Sequence, residues 1–266
     1  MLFAGVDIGS TTTKCAIIDE NKKKLVFVKM DTEFDRNASG EKIFQKALDT
    51  IQASEKDVTC IVATGYGRKS FRRTDLDIPE IIAHAVGTEF LMPGTKTIID
   101  IGGQDSKVIQ LDETGNINRF EMNDKCAAGT GRFFEVLTHR LLGIDMSELS
   151  DLIKKSKEPC TISSMCTIFA ESEIISYLSQ GIPIADIAAG TGVSIARRII
   201  AMGRTGRVDF AEPIVFSGGV AQNEGITQLF EELLAKKVTA IDSPQSTAAV
   251  GAALRALKQY NKRVGS

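Results

Sequence analysis

The sequence predicts a duplicated α/β fold, in which two similar α/β halves surround a cleft. The first observation is a strand–glycine turn–strand motif that occurs twice, as VDIGSTTTKCAIID at residues 6–19 and IDIGGQDSKVIQLD at residues 99–112. The second is the order of predicted elements, which reads βββαβα before Pro93-Gly94 and βββ, several helices and βαβα after it. The third is the length of 266 residues, which is enough for two half-domains.

Each copy of the repeat is predicted to be a β-hairpin with a polar, glycine-bearing tip. The aligned residues are Asp7 and Asp100, Gly9 and Gly102, and Lys14 and Lys107. Two facing tips would hold polyphosphate oxygens with backbone N–H groups and hydroxyls, and Mg²⁺ with one carboxylate each. Chance recurrence of D-x-G at ordinary turns is the alternative, and the matched lysine spacing argues against it. The cleft is therefore predicted to bind a nucleotide.

The first half is predicted to span residues 1–94. Its predicted strands lie at about 2–8, 13–19, 24–30 and 60–63, and its helices at about 40–53 and 78–91. The helix at 40–53 is indicated by the apolar spacing of Ile43, Ala47 and Ile51. Pro93-Gly94 marks the break at the end of this half.

The second half is predicted to span residues 95–245. Its predicted strands lie at about 97–101, 106–111, 117–122, 213–216 and 238–241, and its helices at about 130–142, 147–156, 167–179, 184–204 and 225–235. A last helix at about 246–260 follows Ser243-Pro244, and the segment 246–266 is predicted to pack back on the first half. The loop SGGVAQN at 217–223 follows an apolar strand, and its two glycines would let the backbone approach a ligand closely.

Composition excludes several classes of protein. The chain has no basic block, no Trp and only three Tyr, so nucleic acid is an unexpected partner. It has no run of about eighteen apolar residues, and its first residues enter a predicted strand directly, so neither a membrane span nor a signal peptide is expected. The five cysteines do not suggest a disulfide framework. We therefore expect a cytoplasmic protein.

Two other nucleotide-binding motifs are absent or incomplete in the sequence. The chain contains no G-x-x-x-x-G-K-[ST], so it is not predicted to be a P-loop protein. The stretch from Gly65 to Ser70, GYGRKS, approaches the dinucleotide fingerprint but lacks its third glycine, which disfavours that reading.

The paired D-x-G hairpins and the SGGVAQN loop resemble the actin, Hsp70 and sugar-kinase superfamily of ATPases, whose halves have a ribonuclease H-like fold. This resemblance implies ATP or ADP as ligand and assigns roles to individual residues. Asp7 and Asp100 would hold Mg²⁺, and Gln104 would orient the attacking water. The residues expected to bind the nucleotide itself are Ser10, Thr11, Thr12, Thr13, Lys14, Gly102, Gly103, Gly218, Gly219 and Gln222. Lys107 either belongs to this site or is a solvated strand residue.

Two cysteines are candidates for a metal centre. Cys126 and Cys166 each precede a predicted helix, whose N-terminus would lower the pKa of a thiol. Free cysteine is often only a small buried hydrophobe, as we expect for Cys15 and Cys60. Cys160 follows a proline in a predicted loop and is expected to be incidental, although its closeness to Cys166 keeps it as a reserve candidate. Because C-x-x-C spacings are absent, the spacing alone leaves the metal site open.

The sequences around these cysteines resemble a narrower family. NDKCAAGTGRFFEV at 123–136 and SSMCTIFAESE at 163–173 are similar to the activators of 2-hydroxyacyl-CoA dehydratases, within the BadF/BadG/BcrA/BcrD ATPase family. The related ATPase subunits of benzoyl-CoA reductases share the pattern. ATGYGR at 63–68, DIGGQDSK at 100–107 and SGGVAQN at 217–223 extend the resemblance over essentially the whole chain.

The resemblance implies a homodimer in which Cys126 and Cys166 of both subunits hold one [4Fe–4S] cluster. It implies that ferredoxin or flavodoxin donates one electron, which passes to the dehydratase with ATP hydrolysis. The chemistry agrees, because such a cluster needs four thiolates and helix N-termini favour its more negative reduced state.

The sequence leaves three alternative functions. They are an ATPase subunit of a benzoyl-CoA-type reductase, a sugar kinase of the same superfamily, and a non-catalytic nucleotide-gated module. The sequence offers no clear carboxylate base for a kinase. Glu171 and Glu173, which follow Cys166, are interpreted as helix-capping and dipole-complementing residues rather than an acid pair.

Overall fold

The computed structural model describes residues 1–163 and 166–265, so Ser164 and Met165 of the SSMC motif lie outside the described residues. The chain divides into two compact units. The first contains Met1–Gly94, the turn Glu113–Ile117 and the C-terminal segment that begins at Gln245. The second contains Thr95–Asp112 and Asn118–Pro244.

The first unit is built on a mixed sheet with the strand order β3-β2-β1-β4-β5. Its strands are β1 Leu2–Ile8, β2 Thr12–Asp19, β3 Lys24–Asp31, β4 Val58–Thr64 and β5 Leu76–Asp77. β1, β2 and β3 are antiparallel neighbours, whereas β4 runs parallel to β1 and β5 runs parallel to β4. Its helices are α1 Arg36–Thr50, α2 Glu80–Leu91 and α8 Thr247–Val264.

Helices cover both faces of this sheet. On one face, α1 buries Ile43, Phe44 and Leu48 against the sheet. On the other face, α8 and α2 pack so closely that their backbones are in contact. A Cβ placed on Gly251 would lie 1.9 Å from the carbonyl oxygen of Ala83. Only glycine permits this approach.

The second unit repeats the topology with the strand order β10-β9-β6-β7-β8. Its strands are β6 Thr97–Ile101, β7 Ser106–Leu111, β8 Ile117–Asn123, β9 Ile214–Ser217 and β10 Val238–Ala240. Its helices are α3 Gly131–Glu135, continued as π-helix over Val136–Leu142, then α4 Met146–Lys155, α5 Thr167–Ser179, α6 Ile184–Thr205 and α7 Glu224–Leu234. Their apolar faces form one core with the sheet.

The prediction of two similar α/β halves is confirmed by these matching sheets. The strand register also confirms the predicted alignment of the two hairpins. Asp7 lies opposite Lys14 in the pair β1–β2, and Asp100 lies opposite Lys107 in the pair β6–β7. Among residues 1–163 and 166–265, no helix combines the length and hydropathy that a bilayer crossing needs.

Several boundaries differ from the predicted ones for local reasons. α1 begins at Arg36 because the side chain of Asp35 accepts a hydrogen bond from the N–H of Ala38 at 3.0 Å. α8 extends to Val264 rather than residue 260. β5 was not predicted, because two exposed residues carry no detectable periodicity.

Candidate functional site

The first hairpin tip is a compact turn held by its own backbone and by neighbouring elements. The N–H of Gly9 donates to the carbonyl oxygen of Thr12 at 3.1 Å, and a Cβ on Gly9 would lie 2.8 Å from that oxygen. Thr32 fastens the tip, since its N–H donates to Thr11 O at 2.8 Å and its hydroxyl to Gly9 O at 3.1 Å. Arg36 adds a contact to Ser10 O at 3.3 Å.

The predicted phosphate ligands on this tip do not all face the same way. Ser10, Thr11 and Thr12 are partly exposed. Thr13 is fully buried, and its hydroxyl is 2.8 Å from that of Thr32. Because successive strand residues alternate between faces, Thr13 points away from the side occupied by Thr12 and Lys14. A phosphate contact by Thr13 stays a prediction.

Asp7 has a buried carboxylate, one oxygen of which accepts a hydrogen bond. Its Oδ2 accepts from Lys14 Nζ at 3.0 Å, and the residue is 2% exposed. Its Oδ1 is buried without a hydrogen-bond partner in the described part of the chain. A Cβ on Gly65 would lie 2.5 Å from this Oδ1, so glycine leaves the space beside it open. An unsatisfied carboxylate oxygen is costly, and Mg²⁺ or its bound water would satisfy it.

The second tip has the same turn and an additional attachment. The N–H of Gly102 donates to Asp105 O at 2.9 Å, which corresponds to the Gly9–Thr12 bond of the first tip. The N–H groups of Gly131 and Arg132, at the start of α3, donate to the carbonyls of Gly102 and Gly103, each at 2.8 Å. Gln104 is exposed. The second tip is therefore fastened to the helix that follows Cys126.

Asp100 lies in a denser polar network than Asp7. Its Oδ1 accepts from the Ser217 hydroxyl at 2.8 Å, and its Oδ2 is 3.3 Å from Lys107 Nζ. Lys107 is 1% exposed and also lies 2.7 Å from Asp105. The alternative that Lys107 is a solvated strand residue is therefore wrong, because a buried ammonium requires such paired carboxylates.

Besides the hairpins and the sheet order, the halves share a further feature that was not predicted from the sequence. Thr64 on β4 lies beside Asp7, and Ser217 on β9 lies beside Asp100. Each hydroxyl residue is followed by a glycine with positive φ, +82° at Gly65 and +88° at Gly218. The signal was present, because T-G and S-G each end an apolar strand.

The two glycines make room for equivalent backbone atoms. A Cβ on Gly65 would lie 2.6 Å from Ile8 O, and a Cβ on Gly218 would lie 2.2 Å from Ile101 O.

The interpretation of Gly65 to Ser70 as a dinucleotide-binding fingerprint is wrong, because only a short 3₁₀ turn, Arg68–Ser70, follows β4.

The SGGVAQN loop at 217–223, which is predicted to contact the nucleotide, is an ordered turn between β9 and α7. Gly218 is buried, and its N–H donates to Pro244 O at 3.0 Å. Gly219–Gln222 form a 3₁₀ turn in which the Gln222 side chain is exposed. Asn223 ends the loop by accepting a hydrogen bond from Ile226 N–H at 3.1 Å, which starts α7.

The cysteines fall into two groups by exposure. Cys15 and Cys60 are buried as expected, and burial raises the pKa of Cys60 to about 11 and that of Cys15 further. Burial also raises the pKa of the partly exposed Cys160. Cys126 and Cys166 are exposed.

The expected helix-terminal position is confirmed for Cys166 and wrong for Cys126. Cys166 is the N-cap residue of α5. Cys126 lies in a loop, and α3 begins only at Gly131. The residues around Cys126 are not helical because Gly129 has φ +90° and because the side chain of Asn123 forms hydrogen bonds with the backbone of Cys126.

The two cysteine-bearing segments meet at one small cavity of the second unit. Its lining includes Cys166 together with Ala128 and Gly129 of the Cys126 loop. Arg198 lines this cavity and a neighbouring one of about 530 Å³ that includes Cys160. Two exposed thiols on adjoining segments fit half of the ligand set of a four-thiolate cluster.

Duplicated mixed sheets, paired aspartate–lysine hairpins and a glycine loop after the parallel strand define the actin-like class of ATPase folds. More particularly, the chain belongs to the BadF/BadG/BcrA/BcrD ATPase family, whose model matches residues 4–256.

Relatives and solved structures agree with this family. The chain is 42% identical over 263 residues to the (R)-2-hydroxyglutaryl-CoA dehydratase activating ATPase of Acidaminococcus fermentans, covering 97% of this chain and 98% of the relative. It is 39% identical over 259 residues to the 2-hydroxyisocaproyl-CoA dehydratase activator of Clostridioides difficile, covering 97% and 96%. The structure of the activator of the 2-hydroxyisocaproyl-CoA dehydratase from Clostridium difficile with bound ADPNP has a TM-score of 0.92 and 38% identity, covering 100% of this chain and 97% of that one.

Proposed function

We propose that this chain is an ATP-dependent iron–sulfur electron-transfer activator that reduces a 2-hydroxyacyl-CoA dehydratase by one electron. The observation that carries the proposal is the convergence of two exposed cysteine segments in the unit whose hairpin tip is fastened to α3. The names of relatives at 39% and 42% identity, a dehydratase activator and a dehydratase activating ATPase, support the ATPase activity and the partner class.

The proposed nucleotide ligands are ATP and ADP with Mg²⁺. Asp7 and Asp100 contribute carboxylates to the metal, and the unsatisfied Oδ1 of Asp7 supports this role. The remaining proposed contacts are Ser10, Thr11, Thr12, Thr13 and Lys14 to phosphate, Gly102 and Gly103 to the γ-phosphate, and Gly218, Gly219 and Gln222 to adenosine. Gln104 orients the attacking water, and its exposure leaves its amide available for that role.

The proposed redox group is one [4Fe–4S] cluster per homodimer. Cys126 and Cys166 of each subunit hold it, and when bound it supplies a one-electron carrier. Exposed apolar side chains on α5 beside Cys166, namely Ile168 (70% exposed) and Phe169 (66%), support a second copy of the chain as the neighbour of this face. A ferredoxin or flavodoxin is the proposed electron donor. We place the protein in the cytoplasm, where free thiols persist.

Iron analysis of anaerobically purified protein tests the proposal. We expect about four irons per dimer, the content of one four-thiolate cluster. Cys126→Ser and Cys166→Ser should each lose the iron, because each removes two of the four ligands from a dimer. Cys60→Ala is the control that retains it.

The partner reaction provides the second readout. The wild-type protein, with a chemical reductant and ATP, should activate a 2-hydroxyacyl-CoA dehydratase, and the two serine variants should not. Colourless protein that phosphorylates a sugar would instead support the kinase alternative, and a complete cluster on a monomer would contradict the shared site.

A further inference from the structure

Asn123 makes an unusually complete set of hydrogen bonds to the Cys126 loop. It is the last residue of β8. Its Nδ2 donates to Cys126 O at 2.8 Å and to Ala128 O at 3.1 Å, and its Oδ1 accepts from Cys126 N–H at 3.1 Å. One side chain therefore holds both backbone polar groups of Cys126.

The far end of this loop is also fixed. The hydroxyl of Thr130 donates to Ala127 O at 2.7 Å. The next two N–H groups, of Gly131 and Arg132, bind the second hairpin tip. The loop thus runs between two anchored points, and Asn123 is its anchor on the strand side.

Glu173 makes a comparable contact at Ser163, ahead of the other candidate cysteine. Its Oε2 accepts from Ser163 N–H at 2.9 Å and its Oε1 from the Ser163 hydroxyl at 2.5 Å. Ser163 precedes Cys166 by three residues, and Tyr177 on the same helix donates to Thr161 O at 2.9 Å. The interpretation of Glu173 as a helix-capping and dipole-complementing residue stays a prediction, and its carboxylate in addition binds Ser163.

We propose that Asn123 and Glu173 are positioning residues for cluster binding, Asn123 by holding the backbone of Cys126 and Glu173 by holding Ser163, three residues ahead of Cys166. The inference rests on the proposed function, in which Cys126 and Cys166 are the ligands. A rigid cluster accepts thiolates only at fixed positions, so a loose loop would lose conformational entropy on binding it. Side chains that orient metal ligands typically change metal affinity about 10–100-fold when they are replaced.

Iron release from the anaerobic holoprotein tests the role of Asn123. Asn123→Ala removes all three hydrogen bonds, and we expect iron transfer to a ferrous chelator to become about tenfold faster or more. Asn123→Asp retains an acceptor for Cys126 N–H but places a carboxylate oxygen against the carbonyl oxygens of Cys126 and Ala128, so its rate should be at least as fast as that of Asn123→Ala. Asn21→Ala, in the exposed β2–β3 turn, is the matched control with an unchanged rate. ATP affinity should be unchanged in all three variants. An Asn123→Ala rate equal to that of wild type would overturn the assignment.

A charge-matched pair tests the role of Glu173. Glu173→Gln weakens the bonds to Ser163 and removes one negative charge, whereas Glu171→Gln removes the same charge from the same helix outside this contact. We expect faster iron release only for Glu173→Gln. Equal effects of the two variants would mean that charge rather than positioning is responsible, which would overturn the assignment of Glu173.

A measurement that needs no cluster separates this inference from the proposed function. Hydrogen exchange at the Cys126 amide in the purified full-length protein should become faster in Asn123→Ala than in Asn21→Ala. Wild-type protein without iron would refute the proposed function, while the exchange rate would still test the anchoring. Unchanged exchange at Cys126 would refute the anchoring even in a protein with a complete cluster.

Discussion

At the scale of single residues, the two halves place equivalent side chains in different environments. Asp7 and Asp100 each face a lysine across a hairpin, but Asp100 also accepts a hydrogen bond from Ser217. Asp7 keeps one buried oxygen without a hydrogen-bond partner among the described residues. A further ligand would therefore satisfy the remaining carboxylate oxygen of Asp7, which is costly to bury without a partner.

Replacing either aspartate should strongly reduce magnesium-dependent ATP hydrolysis. Asp7→Asn and Asp100→Asn each remove one carboxylate charge from the proposed metal site, and we expect turnover to fall by roughly a hundredfold or more, about 2.7 kcal/mol in activation free energy. The phosphate release rate at saturating Mg²⁺–ATP measures the effect. Asp49→Asn, on the exposed face of α1, is the control. Unchanged turnover in both site variants would mean that the metal lies elsewhere.

Gln104→Ala should separate turnover from binding. The exposed amide is proposed only to orient water, so its loss should lower ATP turnover about tenfold while nucleotide affinity stays close to that of wild type. Single-turnover hydrolysis and equilibrium binding of a non-hydrolysable analogue are the two measurements. A parallel loss of affinity would instead indicate that Gln104 binds the nucleotide.

At the scale of elements, α3 connects the second hairpin tip to the Cys126 loop. Its first two N–H groups bind the carbonyls of Gly102 and Gly103, and after Glu135 it continues as a π-helix. Such π-helical segments are frequent at functional sites because they shift side chains out of the regular helical register. α3 is therefore placed to couple the tip to the loop.

Gly131→Ala should disturb this connection. A Cβ at this position would lie 2.9 Å from Gly102 O, which is too close for an undisturbed tip. We expect lower ATP turnover in assays of phosphate release. Gly181→Ala is the control, since Gly181 has φ +75° and open space around it, so the substitution adds backbone strain without touching a tip. Normal turnover in Gly131→Ala would show that the tip tolerates displacement.

At the scale of the whole molecule, the last helix of the chain completes the first unit. α8 buries Ala248, Ala252 and Ala256 in the core that contains Phe3 of β1. Small side chains line this face because α8 approaches both β1 and α2 at backbone distance. The first unit is therefore assembled from the two ends of the chain.

Gly251→Ala should destabilise this unit. The added Cβ would lie 1.9 Å from Ala83 O, so α2 and α8 must separate. Overpacking of this kind costs about 1–3 kcal/mol, which corresponds to a melting temperature lower by roughly 2–12 °C. Calorimetry measures the shift. Lys258→Ala, at an exposed position of α8, should change it little. An unchanged melting temperature for Gly251→Ala would contradict the close packing of these helices.

The sequence alone predicted the features that depend on nearby residues. Asp7 and Lys14, like Asp100 and Lys107, are seven residues apart in one hairpin, so strand alternation and the glycine turn define their pairing. The exposed cysteines were recognised by resemblance, and the helix that follows Cys166 by its apolar spacing. The duplication was visible because both copies retained this local pattern.

Tertiary structure decided the features that join distant segments. Ser217 reaches Asp100 across 117 residues, and Thr64 lies beside Asp7 only because β4 pairs in parallel with β1. The loop ahead of α3 and its attachment to Asn123 likewise had no periodic signal. Local patterning specifies which residues form a hairpin or a helix, whereas parallel pairing, helix packing and side-chain anchoring are selected by burial in the assembled chain.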